Sequence, residues 1–408
     1  MIIKRDYYLQ QLISSKSNNL IKIVTGIRRS GKSFLLFNLF HNHLIETGIS
    51  EDHIIEIALD DRLNKNLRDP DVILQHIHER IVDDKLYYII LDEVQMIDEF
   101  TDVLNSLLHI RNADVYVTGS NSKFLSKDVV TEFRGRGDEI HLFPLSFAEL
   151  YNSVGGDKFE LWKSYYTYGG LPGILELDSD KKKAAYLRSL HETVYLKDII
   201  ERNNLKNSEE FMELMRVMAS CIGSPCNPSK LENTFKSVKN ETLDRKTISK
   251  YLSYMEDAFL IEKSMRYDIK GRKYIGTLSK YYFQDIGLRN ALLNFRQVEE
   301  NHIMENVIYN ELRLRGFCVD VGMVEARTAK ERKQLEVDFV ANMADRRYYI
   351  QSAFAMPDDA KREQECASLK RIDDSFKKII IMRDDIKPYH DNNGFYIVGL
   401  MDFLLSRI

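Results

Sequence analysis

The sequence predicts an α/β protein, a parallel sheet flanked by helices with smaller units behind it, and three observations carry that reading. The first is "LIKIVTGIRRSGKSFLLFNLF" (Leu20–Phe40): a short β-branched run, a glycine-bounded loop, then apolar residues at helical spacing. The second is "LYYIILDEVQ" (Leu86–Gln95), a continuous apolar run that ends in two acids, as a strand buried on both faces should. The third is scale. With 408 residues, 44% of them apolar and 29% charged, the chain can bury a sizeable core and is too long for a single one.

Taken in order, the first stretch holds Gly26, four residues, Gly31, Lys32 and Ser33, which is G-x-x-x-x-G-K-[ST] between a strand and a helix. Glycines let such a loop wrap closely, so that backbone N–H groups and the helix N-terminus face phosphate oxygens. The candidate nucleotide cradle is Gly26, Ile27, Arg28, Arg29, Ser30, Gly31, Lys32, Ser33 and Phe34. Lys32 is placed to reach the β- and γ-phosphates of ATP, and the Ser33 hydroxyl to ligate Mg2+. The second stretch then supplies the carboxylates: Asp92 for the metal, and Glu93 to orient or deprotonate the attacking water.

"HIIEIALDD" and "DVYVTGSNS" read as two further strands of the same sheet. The latter puts Ser120 and Asn121 at a strand tip, where Asn121 is either a turn residue or an amide that positions water against the γ-phosphate. "EFRGRGDEIHLFPLSF" holds a last strand over 139–143, preceded by Arg134 and Arg136. These arginines are either surface charges in a glycine-flanked loop or, Arg136 in particular, a guanidinium that reaches a nucleotide.

"GIRRSGKS", "IILDEVQ", "VTGSNS", Gly135–Arg136 and "PLSF" stand in the order and approximate spacing of a prokaryotic branch of AAA-type ATPases, which this chain resembles. "GGLPGIL", "YLKDIIERN" and "SYMEDAFLIEKSMRYD" extend the resemblance into that family's C-terminal region of unknown function. The resemblance implies a P-loop AAA-type three-layer domain with that fold's sheet order, Asn121 as the sensor residue and Arg136 as the better finger candidate.

Four regions are expected: the ATPase core over 1–147, a helical lid over 148–205, a winged-helix-like domain over 206–300 and a C-terminal α/β domain over 301–408. The lid is aromatic-rich and contains the turn "YGGLPG". In the third region "FMELMRVMASCIG" and "DRKTISKYLSYMEDAFLIEKSM" suit amphipathic helices, and "MRYDIKGRKYIGT" a hairpin around Gly271. Nine Lys or Arg face five Asp or Glu from Asp244 to Lys280, so Arg266, Lys270, Arg272 and Lys273 are the candidate DNA phosphate contacts. The same layout also serves protein packing alone.

The last region looks like a PD-(D/E)XK nuclease core, in which carboxylates gather around magnesium beside a lysine. Glu305 and Asp338 match two of the acids, but the triplet that should hold an acid and the lysine reads Gln351–Ser352–Ala353. A degenerate binding or assembly module is expected there. Lys361 on the following helix is a substitute for the lysine, and nothing obvious replaces the acid.

Net charge of -4 excludes a global pull towards nucleic acid or membrane, so any polyanion site is a local patch. Four scattered cysteines argue against a disulfide framework, no histidine has metal-ligand spacing, and no apolar run approaches a membrane span. The expectation is a cytoplasmic ATPase, acting on DNA or a protein partner as a possible homo-oligomer. A slow nucleotide-gated switch and an ATP-controlled nuclease are the alternatives.

Overall fold

The computed structural model describes residues 3–119, 135–239, 243–327 and 332–406. The chain divides into two compact units: Met1–Pro144 with Leu171–Glu176 and Asp257–Phe259, and Leu145–Gly170 with Leu177–Glu256 and Leu260–Ile408.

The first unit is a five-stranded sheet of β1 (Ile21–Thr25), β2 (Ile54–Ala58), β3 (Tyr87–Asp92), β4 (Ala113–Thr118) and β5 (Gly137–His141), in the order β2-β3-β4-β1-β5. Every neighbouring pair is parallel. Period-2 alternation splits the apolar residues between two faces. Ile23, Ile57, Ile89 and Leu91 pack with Leu104 and Leu107 of the helix Phe100–Leu107. Val24, Tyr88, Ile90 and Tyr116 pack with Leu35, Leu36 and Phe40 from the helical run behind the phosphate loop. That gives three layers, and it explains why β1 and β3 are buried throughout.

Lys22 is the exception in β1. Its fully buried ammonium pairs with Asp114 at the start of β4, whose other oxygen accepts from Tyr116 Oη at 2.9 Å. A buried charge is tolerated only when it is paired and hydrogen-bonded in this way.

The second unit holds an eight-stranded sheet of β6 (Ile261–Asp268), β7 (Lys273–Phe283), β8 (Cys318–Arg327), β9 (Arg332–Met343), β10 (Arg346–Ala353), β11 (Lys377–Met382), β12 (Tyr389–His390) and β13 (Tyr396–Gly399), in the order β12-β13-β11-β10-β9-β8-β6-β7. The helix Glu300–Leu314 lays Ile303, Met304, Val307 and Ile308 on Phe339, Ile350 and Ile379 of this sheet. The helix–hairpin order expected for 206–300 is present, with helices Ser208–Ser220, Pro228–Thr234 and Arg245–Asp257 before the β6/β7 hairpin. The hairpin is not a free wing, however. β6 pairs in parallel with β8 at Arg266–Asp268, so a boundary drawn at residue 300 would cut through one sheet.

Two packing features fix the helices within this unit. Trp162 is buried, and its Nε1 donates to Glu300 Oε1 at 2.7 Å. In "YGGLPG" the Asp285 carboxylate accepts from the N–H of Gly170 at 2.8 Å and of Leu288 at 2.9 Å, and a Cβ on Gly170 would sit 2.2 Å from the Leu145 carbonyl oxygen. Only glycine permits that approach.

Candidate functional site

In the first unit the phosphate loop leaves the carboxyl end of β1, and its shape rests on two left-handed glycines, Gly26 (φ 136°) and Gly31 (φ 98°). The helix begins at Lys32, so its first N–H groups lack intrahelical partners and are free to meet an anion. Lys32 is buried, with Nζ 3.0 Å from the carbonyl oxygen of Gly26 and 3.2 Å from that of Ile27. Burial pulls its pKa down, a fall that the nearby Glu93 and Asp92 carboxylates only partly offset.

β3 carries Asp92 to the same end of the sheet. Its buried carboxyl accepts from the hydroxyls of Thr118 and Ser33; burial raises its pKa, and these two bonds work against the rise. Ser33 and Asp92, the two expected metal ligands, are therefore in contact. Glu93 follows with a left-handed backbone (φ 53°), its N–H donating to Thr118 Oγ1 at 2.9 Å and its carboxylate accepting from Gln95 Nε2. Cradle, two metal-type oxygens and an acid thus meet at the strand tips, and Ser30 Oγ is buried there without a hydrogen-bond partner among the described residues. These residues fit a magnesium–nucleotide.

Two contributors were not picked out from sequence. Thr118 links the two acids through one hydroxyl. Arg5, ahead of the helix Asp6–Ser14, is buried and donates to the carbonyl oxygens of Ser30 (3.4 Å) and Phe143 (2.7 Å), tying the loop to the chain after β5. "TGS" at the end of an apolar run was a signal for Thr118; nothing marks Arg5. From the expected lid, Leu171–Glu176 belongs to this unit, and Pro172 Cγ lies 3.9 Å from where a Gly31 Cβ would be.

Other expected residues fall elsewhere. Ser120, Asn121 and Arg134 lie outside the described residues. Arg136 is exposed and precedes β5 at the amino end of the sheet, where its carbonyl oxygen accepts from Ile21 N–H. Gly26 lies at the other end of the five-residue β1, roughly 16 Å away at about 3.3 Å per residue. That is beyond the reach of an arginine side chain, so Arg136 does not serve its own chain's phosphate loop.

In the second unit Lys270, Arg272 and Lys273 are exposed around the β6/β7 turn. Arg266 is not available as a phosphate contact. Strand alternation points it inward, where it is 9% exposed and donates to Met323 Sδ at 2.8 Å and Gln334 Oε1 at 3.4 Å.

The nuclease-like residues also part company. Glu305 and Asp338 do converge, but on Lys280 of β7, with Glu336 as a further acid: Lys280 Nζ lies 2.8 Å from Glu305, 2.8 Å from Glu336 and 3.7 Å from Asp338. Gln351 does not join them. Tyr349 and Ala353 belong to one core and Ile350 to the other, so alternation along β10 turns Gln351 to the face away from Ile350 and the helix that bears Glu305. Lys361 pairs with Glu365 on its own helix. Glu336 was legible as the same-face neighbour of Asp338 in "LEVDF"; Lys280 carried no sequence signal.

Residues 18–151 match the family described as an AAA domain, and 159–299 match a domain of unknown function (DUF8612). An uncharacterised protein of Haemophilus influenzae is 33% identical over 414 residues, covering 99% of each chain. Another, from Methanocaldococcus jannaschii, is 29% identical over 391 residues, 91% of this chain and 82% of that protein. Among solved structures, the Aeropyrum pernix ORC1 protein in complex with DNA is 12% identical, covering 72% of this chain and 92% of that one at a TM-score of 0.30. The chain belongs to the AAA-type ATPase family and carries this domain of unknown function after the phosphate-loop domain in sequence.

Proposed function

We propose that the chain binds ATP with Mg2+, hydrolyses it, and uses the cycle to drive a conformational change that acts on DNA or a protein partner. The observation that carries this reading is the junction of Ser33, Asp92, Thr118 and Glu93 beside Lys32 at one end of the sheet. Mg2+ held by Ser33 and Asp92 would neutralise phosphate charge. Lys32 would exchange its two loop carbonyls for phosphate oxygens, and Glu93 would take the proton of the attacking water. Arg136 would act on a neighbouring copy, which makes the working form a homo-oligomer. Lys270, Arg272 and Lys273 would meet DNA phosphates. No helix among the described residues is long and apolar enough to cross a membrane, and the proposed setting is the cytoplasm.

The test is steady-state ATP turnover of the full chain with and without duplex DNA. Turnover that vanishes in Lys32→Ala and rises with DNA supports the whole reading; turnover indifferent to DNA moves the search to a protein partner. A slow nucleotide-gated switch is the second reading, favoured by the Gln95 amide on the Glu93 carboxylate, which must be released before Glu93 can take a proton. Tight binding without turnover would select it.

Thr118 acts as a positioning residue in this scheme. Thr118→Val removes the bond to Asp92 and strands the Glu93 N–H, so turnover should fall about 10-fold or more, the usual size of such supporting contacts. The Mg2+ concentration for half-maximal turnover should rise, and Thr118→Ser should restore both. A merely structural role would leave the Mg2+ dependence unchanged.

A further inference from the structure

The second unit's ion cluster has an unusual composition. Lys280 is 2% exposed, and its ammonium is the cation shared by Glu305 from the helix Glu300–Leu314 and by Glu336 and Asp338 from β9. Tyr282 Oη donates to the same Glu305 oxygen at 2.7 Å, and the Ser352 N–H donates to Asp338 Oδ2 at 2.8 Å. Burial alone would lower the Lys280 pKa; Glu305, Asp338 and Glu336 outweigh it and carry the group above the ordinary lysine value, so the charge is held. The Asp338 carboxyl is pushed up by burial and then by Glu305, a sign that three acids are more than one ammonium balances.

Lys280 does not come from the neighbourhood of these acids. In sheet order β7 stands three strands from β9, about 14 Å across a flat sheet at about 4.8 Å per strand. A lysine side chain cannot span that. The contact exists because the sheet curls over the helix Glu300–Leu314, stacking Tyr282 of β7 on Tyr309 (centroids 4.1 Å apart) within reach of Phe339 of β9 (6.1 Å). The curl delivers a cation to the point on which the carboxylates converge.

We propose that Lys280 is the resident cation of this centre: its ammonium takes the place a divalent metal ion would occupy among Glu305, Glu336 and Asp338, so the native centre is closed to metal, and shortening Lys280 opens a divalent-cation site. An ammonium and a metal ion compete for the same lone pairs: to reach Mg2+ distances of about 2.0–2.1 Å, the Glu305 and Glu336 oxygens, 2.8 Å from the nitrogen, need close by less than 1 Å, and the Asp338 oxygen, at 3.7 Å, by about 1.6 Å. Three carboxylates left without Lys280 repel one another and would be relieved by a dication.

The experiment is Mn2+ binding to the nucleotide-free full chain, read from the loss of the free-ion EPR signal. In the native chain, Asp338→Asn should leave Mn2+ uptake unchanged, because the centre holds none. Lys280→Ala should take up about one more Mn2+ per chain, and adding Asp338→Asn should abolish that gain. Lys280→Met, which keeps the aliphatic stem, serves if the alanine variant does not fold by circular dichroism. Asp338-dependent Mn2+ uptake by the native chain overturns the proposal whatever the variants do, and so does a folded Lys280 variant that gains no ion. Neither outcome bears on the phosphate loop, since Asp338 and Lys280 lie in the other unit.

Discussion

Glu93→Gln should lower ATP turnover by about 10²- to 10⁴-fold, the usual worth of a positioned general base, while ATP binding stays within about threefold of the native chain. The substitution keeps side-chain volume and hydrogen-bonding reach but cannot take a proton. It also leaves the backbone untouched: the left-handed turn at residue 93 is held by its N–H on Thr118, not by the carboxylate. The hydrogen bonds of the cradle, Lys32 on its loop carbonyls and Ser33 on Asp92, do not involve the Glu93 side chain. Fluorescent-nucleotide binding and phosphate release, measured on the same preparation, separate the two effects. Lys32→Ala should weaken binding as well, so the two variants form a contrast. Turnover in Glu93→Gln within a few-fold of native would remove Glu93 from the chemistry and leave the site to binding alone.

Gly26→Ala should abolish nucleotide binding and lower the unfolding midpoint of the chain, because the added methyl has no room. Its Cβ would lie 2.2 Å from the carbonyl oxygen of Leu142, well inside contact distance, and the obstacle is backbone rather than a flexible side chain. Leu142 cannot step aside cheaply, since its N–H is bonded to Thr25 O at 2.8 Å and continues the β1/β5 ladder. The φ of 136° at Gly26 adds backbone strain for any L-residue, of order 1–3 kcal/mol. The natural control is Gly48→Ala, where φ is 90° but nothing lies within 4 Å of the new methyl. That variant carries the strain without the clash and should bind nucleotide normally. Equal losses in both variants would show that the clash at residue 26 is not what matters.

The nucleotide site was legible because its chemistry is written in consecutive residues. Gly26, Gly31, Lys32 and Ser33 set loop path, charge and metal oxygen within eight positions, and Asp92 and Glu93 fall at the end of an apolar run whose burial forces a strand. The basic hairpin was half legible: composition showed the excess of cations, but alternation along β6 decides which of them face solvent, and it turns Arg266 inward. The triplet Gln351–Ser352–Ala353 correctly showed that the expected acid and lysine are missing from β10. It could not show that a lysine arrives from another strand.

What the sequence determined alone is therefore local: the phosphate loop, the paired acids, the parallel-sheet class and the family that follows from them. Tertiary structure decided every contact that needs distant strands brought together. It placed Thr118 between Asp92 and Glu93, Arg5 on the carbonyl of Ser30, Arg136 at the far end of the sheet, and Lys280 among Glu305, Glu336 and Asp338. The physical reason is that backbone geometry and hydrophobic period are properties of neighbours in sequence. The meeting of charges is a property of how sheets order and curl, which no short stretch of sequence encodes.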